Sequence, residues 1–183
     1  MISLERIDLV RKCKMLKKSI PTSFIALLAS VFLFLGFNMP ALAYDNPDLL
    51  PDRQTPIIDL ARALSNSQRE NLEEKLNEFE TSSGWKIRVL SQYDRTPGLA
   101  VRKYWGLDER SLLIIADPRG GNLLNFNVGD AYYALMPRTF WVELQTRYGN
   151  QYYVRDHGED GAILDAISSV KSCLNKGGCQ VVP

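Results

Sequence analysis

The apolar run Ser111–Ala116 (SLLIIA) sets the strongest limit on what this chain folds into. A strand with one wet face alternates apolar and polar residues, whereas an almost continuous apolar strand is typical of a central strand covered on both faces. Layers of helix on each side of a sheet provide that cover. We therefore predict an α/β protein, a three-layer α/β/α sandwich in which helices lie on both faces of a small mixed sheet.

The segments around this strand predict a β-α-β unit followed by a returning strand. A Ser that precedes Gln or Glu by three residues marks a capping box, and either Ser65 or Ser67 opens the first helix in this way. The β-α-β unit is expected to be a right-handed parallel crossover, and the strand after it antiparallel. The predicted elements are a helix ending before Gly84, a half-buried strand over 85–90, a helix over 97–105, the central strand over 111–116, a returning strand over 124–128, a helix over 137–148 and a helix from about Glu159 to Leu174.

Residues 1–43 are predicted to be a secretory signal peptide. Six basic residues precede an apolar stretch over 23–37, and Ala41-Leu42-Ala43 supplies a small-residue cleavage site. The apolar stretch is shorter than the roughly 20 residues of a membrane span, and the alternative is an uncleaved N-terminal anchor. If the segment is cleaved, it contacts a membrane only during export. If it is not cleaved, it stays in the membrane as an anchor. Residues 44–62, which begin YDNPDLLPDRQTP, form a predicted extended lead to an α/β domain over 63–183.

Removal of this segment changes the charge of the working domain. The whole chain has 22 basic and 21 acidic residues and a net charge of +1. Residues 1–43 carry 6 basic and 2 acidic residues, which leaves 16 and 19 in the remainder, a net charge of −3. No basic stripe that would follow a phosphate backbone remains, and an anionic membrane would repel the domain. The sequence therefore argues against nucleic acid and against a lipid surface as partners.

The two cysteines that follow the signal segment are predicted to form a disulfide. Cys173 and Cys179 are separated by the flexible sequence LNKGG, which allows the two Cα atoms to approach. Export places them in an oxidising compartment, where disulfides persist. A metal pair or a redox motif matches this spacing poorly, so the bond is interpreted as a staple of the C-terminus.

Three carboxylates are predicted to meet at one edge of the sheet. The loop that enters the central strand contains Asp108 and Glu109, and Asp130 follows the end of the returning, antiparallel strand. Oxygen-rich clusters of this kind suit Ca²⁺ or Mg²⁺, so we consider Asp108, Glu109 and Asp130 as metal ligands. The alternative is that they are solvated loop residues, since no ligand spacing of the EF-hand type is present.

Two adjacent pairs of tyrosines, in segments predicted to be non-helical, are candidates for a partner-binding face. Aromatic residues are enriched at interfaces, and one member of each pair is expected to face outward. The pairs are Tyr132-Tyr133 and Tyr152-Tyr153. Phe140 and Tyr148 have helical spacing and are assigned to the core instead.

The sequence offers no catalytic residue with a partner. His157 is the only histidine, and it is either a base or ligand or, as we prefer, a loop residue or the N-terminal flank of the last helix. No nucleophile motif and no glycine-rich phosphate loop occurs. We therefore assign no residue a catalytic role.

The succession of motifs over the mature chain resembles the TPM-domain family. The resemblance implies an α/β/α domain in the thylakoid lumen or, in a cyanobacterium, the lumen or periplasm; the bacterial-type signal favours a cyanobacterial source. It also implies an association with photosystem II assembly and repair. The motifs that carry it are L-S-x-x-Q (64–68), G-W-K-I-R-V-L (84–90), T-P-G-L-A (96–100), L-L-I-I-A-D-P (112–118), G-N-L-L-N-F-N-V-G (121–129), P-R-x-F-W (137–141), Y-G-N-x-Y-Y (148–153) and H-G-E-D (157–160).

Some members of the family are described as divalent-cation-binding acid phosphatases, but this chain departs from the family pattern in two loops. A D-N-G-like loop before the central strand is replaced here by 108–111 (DERS), and a G-x-G loop by 129–131 (GDA). The leading hypothesis is therefore a non-catalytic accessory protein that binds photosystem II subunits or repair factors. A metal-dependent phosphatase that uses Asp108, Glu109 and Asp130 is the alternative.

Overall fold

The computed structural model describes residues 46–93, 95–119 and 122–183, so the predicted signal segment lies outside the described residues. The described chain contains four strands and five α-helices, preceded by a short 3₁₀-helix, Pro47–Leu49. In chain order they are β1 (Ile57–Asp59), α1 (Asn66–Ser83), β2 (Lys86–Ser91), α2 (Ala100–Tyr104), β3 (Ser111–Ala116), β4 (Leu124–Val128), α3 (Asp130–Tyr133), α4 (Arg138–Tyr148) and α5 (Gln151–Asn175).

The strands form one mixed sheet in the order β1-β2-β3-β4. β2 pairs with β3 in parallel, as the predicted crossover requires, and β4 returns antiparallel with Leu112 opposite Val128. β1 adds a parallel edge strand, with Ile57 opposite Val89. The predicted α/β class with a mixed sheet is confirmed, while the sheet begins inside the segment 44–62 that the sequence assigned to an extended lead.

Each face of the sheet packs against its own hydrophobic cluster. Leu112 and Ile114 of β3 point into the larger cluster, together with apolar residues of α1, α4 and α5. Leu113, between them, points into the smaller cluster, which includes Val101 and Trp105 around α2. Alternate residues of a strand face opposite sides, so the two clusters explain why β3 is apolar almost throughout.

The first helix begins and ends as its sequence predicts. Of the two candidate serines, Ser65 is the N-cap: its hydroxyl accepts a hydrogen bond from the Gln68 amide, and its own amide donates to the Gln68 side chain. Gly84 ends the helix with φ +70°, a left-handed conformation that favours glycine. The Gly84 amide donates to the Glu80 carbonyl at 2.8 Å.

β2 is more buried than its alternating sequence predicts. Arg88, assigned to the wet face of a half-buried strand, is only 8% exposed. Its guanidinium forms an ion pair of 2.7 Å with Glu80 of α1. The prediction of a half-buried strand was wrong because the basic residue is buried and its charge is paired with a carboxylate of α1.

Two helical segments were not predicted. α5 has a kink at Gly158, where φ is +79°, so the predicted helix from about Glu159 is its second part, and the first part, which the Asn150 side chain caps, was not predicted. α3 forms where no helix was predicted. Among the described residues no helix is long and apolar enough to cross a membrane.

Candidate functional site

The three predicted carboxylates lie around one small cavity at the edge of the sheet where β3 begins and β4 ends. The cavity has a volume of about 220 Å³, and Asp108, Glu109 and Asp130 line it. The antiparallel register that sets Leu112 opposite Val128 brings the loop before β3 against the turn after β4. Ser111 and Arg102 complete the set of charged and hydroxyl side chains in this cavity.

The two loops of the cavity touch backbone to backbone. The Gly129 amide donates to the Ser111 carbonyl at 2.9 Å, and the Ala131 amide donates to the Glu109 carbonyl at 3.0 Å. A Cβ atom on Gly129 would lie 2.3 Å from the Glu109 carbonyl oxygen. Glycine is therefore required at this close approach, which fixes the spacing between Glu109 and Asp130 along the edge.

The Asp108 carboxylate is held by its own loop. One oxygen accepts hydrogen bonds from the Ser111 hydroxyl at 2.7 Å and the Arg110 amide at 3.0 Å. The other oxygen lies 3.4 Å from the Lys86 ammonium. The Ser111 hydroxyl bond, followed by the charge of Lys86, holds the pKa of Asp108 below its usual range. Asp108 is therefore an ionised residue that organises the loop.

The three carboxylates are neighbours, but the structure does not arrange them as a ligand set. Within residues 46–93, 95–119 and 122–183, no group of three or more His, Cys, Asp or Glu side chains is placed to hold a metal ion. Arg102 also brings a positive charge to the same cavity. The arrangement therefore does not fit a three-carboxylate Ca²⁺ or Mg²⁺ site of the kind that the sequence predicted.

Sequence reasoning missed Arg102 and Ser111 as members of this site. Arg102 lies on α2, which the chain reaches before β3, and only the packing of α2 brings it to the cavity. Ser111 carried a usable signal, because a Ser three residues after an Asp is able to close a local side-chain turn.

Tyr132 does not belong to a partner-binding face. Its side chain is completely buried on α3, its ring lies 4.6 Å from that of Trp85, and its hydroxyl donates to the Lys86 carbonyl at 3.1 Å. The prediction for Tyr132 was wrong because the segment is helical and turns this ring into the core. Tyr133 is half-buried and carries the Arg138 guanidinium 5.1 Å from its ring centroid.

The second tyrosine pair lies on α5, where Tyr152 is exposed to solvent and Tyr153 is partly buried. Tyr152 is 73% exposed, with the Arg155 guanidinium 5.5 Å from its ring centroid. Tyr153 packs against Tyr148 and donates to Asp165 at 2.6 Å; desolvation and this hydrogen bond raise the pKa of Tyr153 to about 12. Of the four tyrosines, only Tyr152 is mostly exposed to solvent.

His157 is an exposed residue of α5, not a loop residue. Its ring lies 4.1 Å from that of Tyr153, in an edge-on arrangement. The contact with Tyr153 gives it a packing role.

The predicted disulfide between Cys173 and Cys179 is confirmed, with a Cα–Cα distance of 5.3 Å. It joins the last turn of α5 to the C-terminal segment. The Cys179 amide donates to the Leu135 carbonyl at 3.0 Å, and Val182 beyond it is buried. The bond therefore holds the C-terminus against the segment between α3 and α4.

Comparisons with known proteins place this fold in a family. The model of the TPM domain family, designated a TPM phosphatase, matches residues 57–173. The thylakoid lumenal 15.0 kDa protein 2 of the Arabidopsis thaliana chloroplast is 40% identical over 142 residues, a match that covers 77% of this chain and 64% of that protein. The chain thus spans less than two thirds of the relative's length.

A solved structure shares the architecture. The solution NMR structure of the N-terminal domain of a protein from P. gingivalis superposes with a TM-score of 0.58 at 17% identity, and the match covers 72% of this chain and 88% of that domain. At that identity the likeness concerns the fold alone. The family match extends from the edge strand β1 to the disulfide cysteine Cys173, and the chain belongs to the TPM domain family.

Proposed function

We propose that this chain is an exported TPM-domain protein of the thylakoid lumen or periplasm that assists photosystem II assembly, repair or maintenance by binding protein partners. The observation that carries the proposal is the 40% identity over 142 residues to a thylakoid lumenal protein. The basic and apolar N-terminal segment with its Ala-Leu-Ala site supports export. The net charge of −3 beyond that segment supports a protein partner over nucleic acid.

The exposed aromatic residue on α5 also supports a protein-binding role. Tyr152 is 73% exposed and stacks with Arg155. Tyr and Arg are among the residue types that most often dominate the binding energy of protein interfaces. Tyr152 is therefore the member of the two tyrosine pairs that we assign to the partner.

The test is affinity capture from detergent-solubilised thylakoids by the protein purified after expression of the full-length chain. We expect photosystem II subunits among the quantified proteins, and fewer of them with Tyr152→Ala. The control is Tyr93→Ala, which removes another exposed aromatic ring. The proposal fails if the unmodified protein captures no photosystem II subunits.

A phosphatase is the second candidate function, and the designation of the matching family model favours it. The cavity of Asp108, Glu109 and Asp130 is the place to test, although its carboxylates are not arranged around a common ion. Hydrolysis of p-nitrophenyl phosphate at acidic pH is measured with EDTA, with Ca²⁺ and with Mg²⁺. Activity that disappears in Asp130→Ala and persists in Asp48→Ala, on the distant 3₁₀-helix, would support an enzyme. Absence of hydrolysis under all three conditions would remove this candidate.

A further inference from the structure

α1 and α5 run side by side in the same direction and leave a groove between them. Near the start of α1 and just after the kink of α5, the Gln68 side chain donates to the Asp160 carboxylate at 2.7 Å. Farther along both helices, the Lys171 ammonium lies 5.0 Å from the ring centroid of Phe79. The cavity between them has a volume of about 880 Å³, four times that of the carboxylate cavity.

The floor of the α1–α5 groove is apolar. Leu72 is 5% exposed and Ile167 is 2% exposed, and both belong to the larger core cluster. Leu164 is partly buried and packs against the same cluster. Leu164 is therefore the apolar side chain that a partner in the groove would meet. Because the core already holds it in place, binding would order few additional groups.

The rim of the groove carries excess positive charge. Lys75 and Lys171 line it, and neither takes part in an ion pair among the described residues. Asp165 is the one carboxylate that lines the groove within the described chain, and it already accepts a hydrogen bond from the Tyr153 hydroxyl. Among the described residues neither ammonium group thus has a carboxylate partner, and Lys171 contacts only the Phe79 ring, so both are able to pair with an acidic partner although the domain has a net charge of −3.

We infer that the α1–α5 groove binds an amphipathic helix with acidic residues from a partner protein, an inference that rests on the proposed protein-binding function. The α5 side of the groove runs from Leu164 to Asn175, about 18 Å of helix at about 1.5 Å per residue. A third helix of about three turns fills such a groove, with its apolar stripe over Leu164, beside the nearly covered Leu72 and Ile167. Its carboxylates face Lys75 and Lys171.

The direct test measures the binding of fluorescein-labelled 18-residue peptides by fluorescence anisotropy. One designed peptide has a leucine stripe flanked by glutamates, a second replaces every glutamate by lysine, and a third scrambles the first so that its stripe is lost. We expect only the first to bind, with an affinity that falls as NaCl is raised from 50 to 500 mM. No binding of this peptide up to 1 mM, or equal binding of all three, would overturn the inference.

Charge-reversal variants locate the binding on the protein. Lys75→Glu and Lys171→Glu are each expected to weaken binding of the acidic peptide by about fivefold or more, since each replaces an attraction by a repulsion. Lys103→Glu makes the same change of charge on exposed α2, against the opposite face of the sheet, and is expected to bind as the unmodified protein does. Equal affinities for all three variants would contradict the assignment of the groove.

Two further measurements separate this inference from the proposed function. If the thylakoid capture recovers photosystem II subunits equally with the Lys75→Glu, Lys171→Glu double variant, the protein-binding function stands and the groove is not its site. If the unmodified protein captures none, the function fails and the peptide assay alone decides about the groove. A dimer in sedimentation experiments that the double variant abolishes would identify a second copy as the occupant and overturn the inference of a partner helix.

Discussion

The ion pairs of this protein differ in how deeply their side chains are buried. Arg88 is buried, and Glu80 is its ion-pair partner at 2.7 Å. The Nε atom of Arg88 is already buried without a hydrogen bond among the described residues. By contrast, Arg155 and Asp156 form a pair at 3.0 Å with side chains that are 70% and 58% exposed. The two pairs have similar geometry and different burial, which makes them a matched comparison.

Removal of the partner of Arg88 is expected to destabilise the protein. Glu80→Ala leaves a buried guanidinium with less compensation and should lower the free energy of unfolding by about 2–4 kcal/mol, because an unpaired buried charge is costly. Asp156→Ala in the exposed pair should lower it by less than about 1 kcal/mol. Urea denaturation monitored by circular dichroism measures both. Equal, small effects would show that water reaches Arg88.

The Ser111 hydroxyl is the main group that favours ionisation of Asp108. The Ser111 hydroxyl, the largest cause, lowers the pKa of Asp108 in the folded protein. A carboxyl with a lowered folded-state pKa stabilises the fold above its unfolded pKa, and this contribution is lost as the pH falls through the folded value. Ser111→Ala should therefore raise the Asp108 pKa toward the usual range of an aspartate and weaken its stabilising effect.

The measurement is a carboxyl-carbon NMR titration of Asp108 from pH 6 to pH 2. Ser67→Ala, which removes a hydroxyl far from this loop, serves as the control and should leave the titration of Asp108 unchanged. A titration of Asp108 that is the same in Ser111→Ala as in the unmodified protein would show that Lys86 and the Arg110 amide alone set its pKa.

At the scale of helices and strands, the sequence predicted the elements whose first and last residues have recognisable capping or turn patterns. α1 has a capping box at Ser65 and a left-handed Gly84, and both signals lie within the helix and its flanks. β1 is three residues long and is stabilised by pairing with β2, so no short-range pattern marks it. α5 has a kink at Gly158, and the chain is helical on both sides of it. A glycine in the sequence does not distinguish a kink from an end.

The capping box makes a specific prediction about two serines that the sequence could not separate. Ser65→Ala should lower the free energy of unfolding by about 1 kcal/mol, since it leaves the Gln68 amide without its acceptor. Ser67→Ala should cost less than about 0.5 kcal/mol, because Ser67 lies within the first turn. Thermal unfolding of both variants measures the difference. The opposite order would place the helix start at Ser67.

At the scale of the whole molecule, topology was easier to predict than side-chain geometry. The alternation of elements sufficed to place Asp108, Glu109 and Asp130 at one edge, because parallel and antiparallel pairing fixes which strand ends meet. It did not reveal that the Asp108 oxygens are taken by Ser111 and Arg110. Such bonds depend on side-chain directions within the loop. The α1–α5 groove was likewise invisible, because it arises from the spacing of two helices that are distant in sequence.

In the C-terminal segment one covalent bond acts together with non-covalent contacts, since the disulfide lies beside the Cys179 and Val182 hydrogen bonds and the buried Val182 side chain. Reduction of Cys173–Cys179 with dithiothreitol should lower the free energy of unfolding by about 2 kcal/mol, the chain-entropy value for so short a loop. Hydrogen exchange of the Cys179 and Val182 amides, which donate to Leu135 and Glu143, should quicken more than that of β3 amides. Cys179→Ser should show the same exchange without reductant, and dithiothreitol should then add nothing. Unchanged exchange at Val182 after reduction would mean that its buried side chain alone holds the tail.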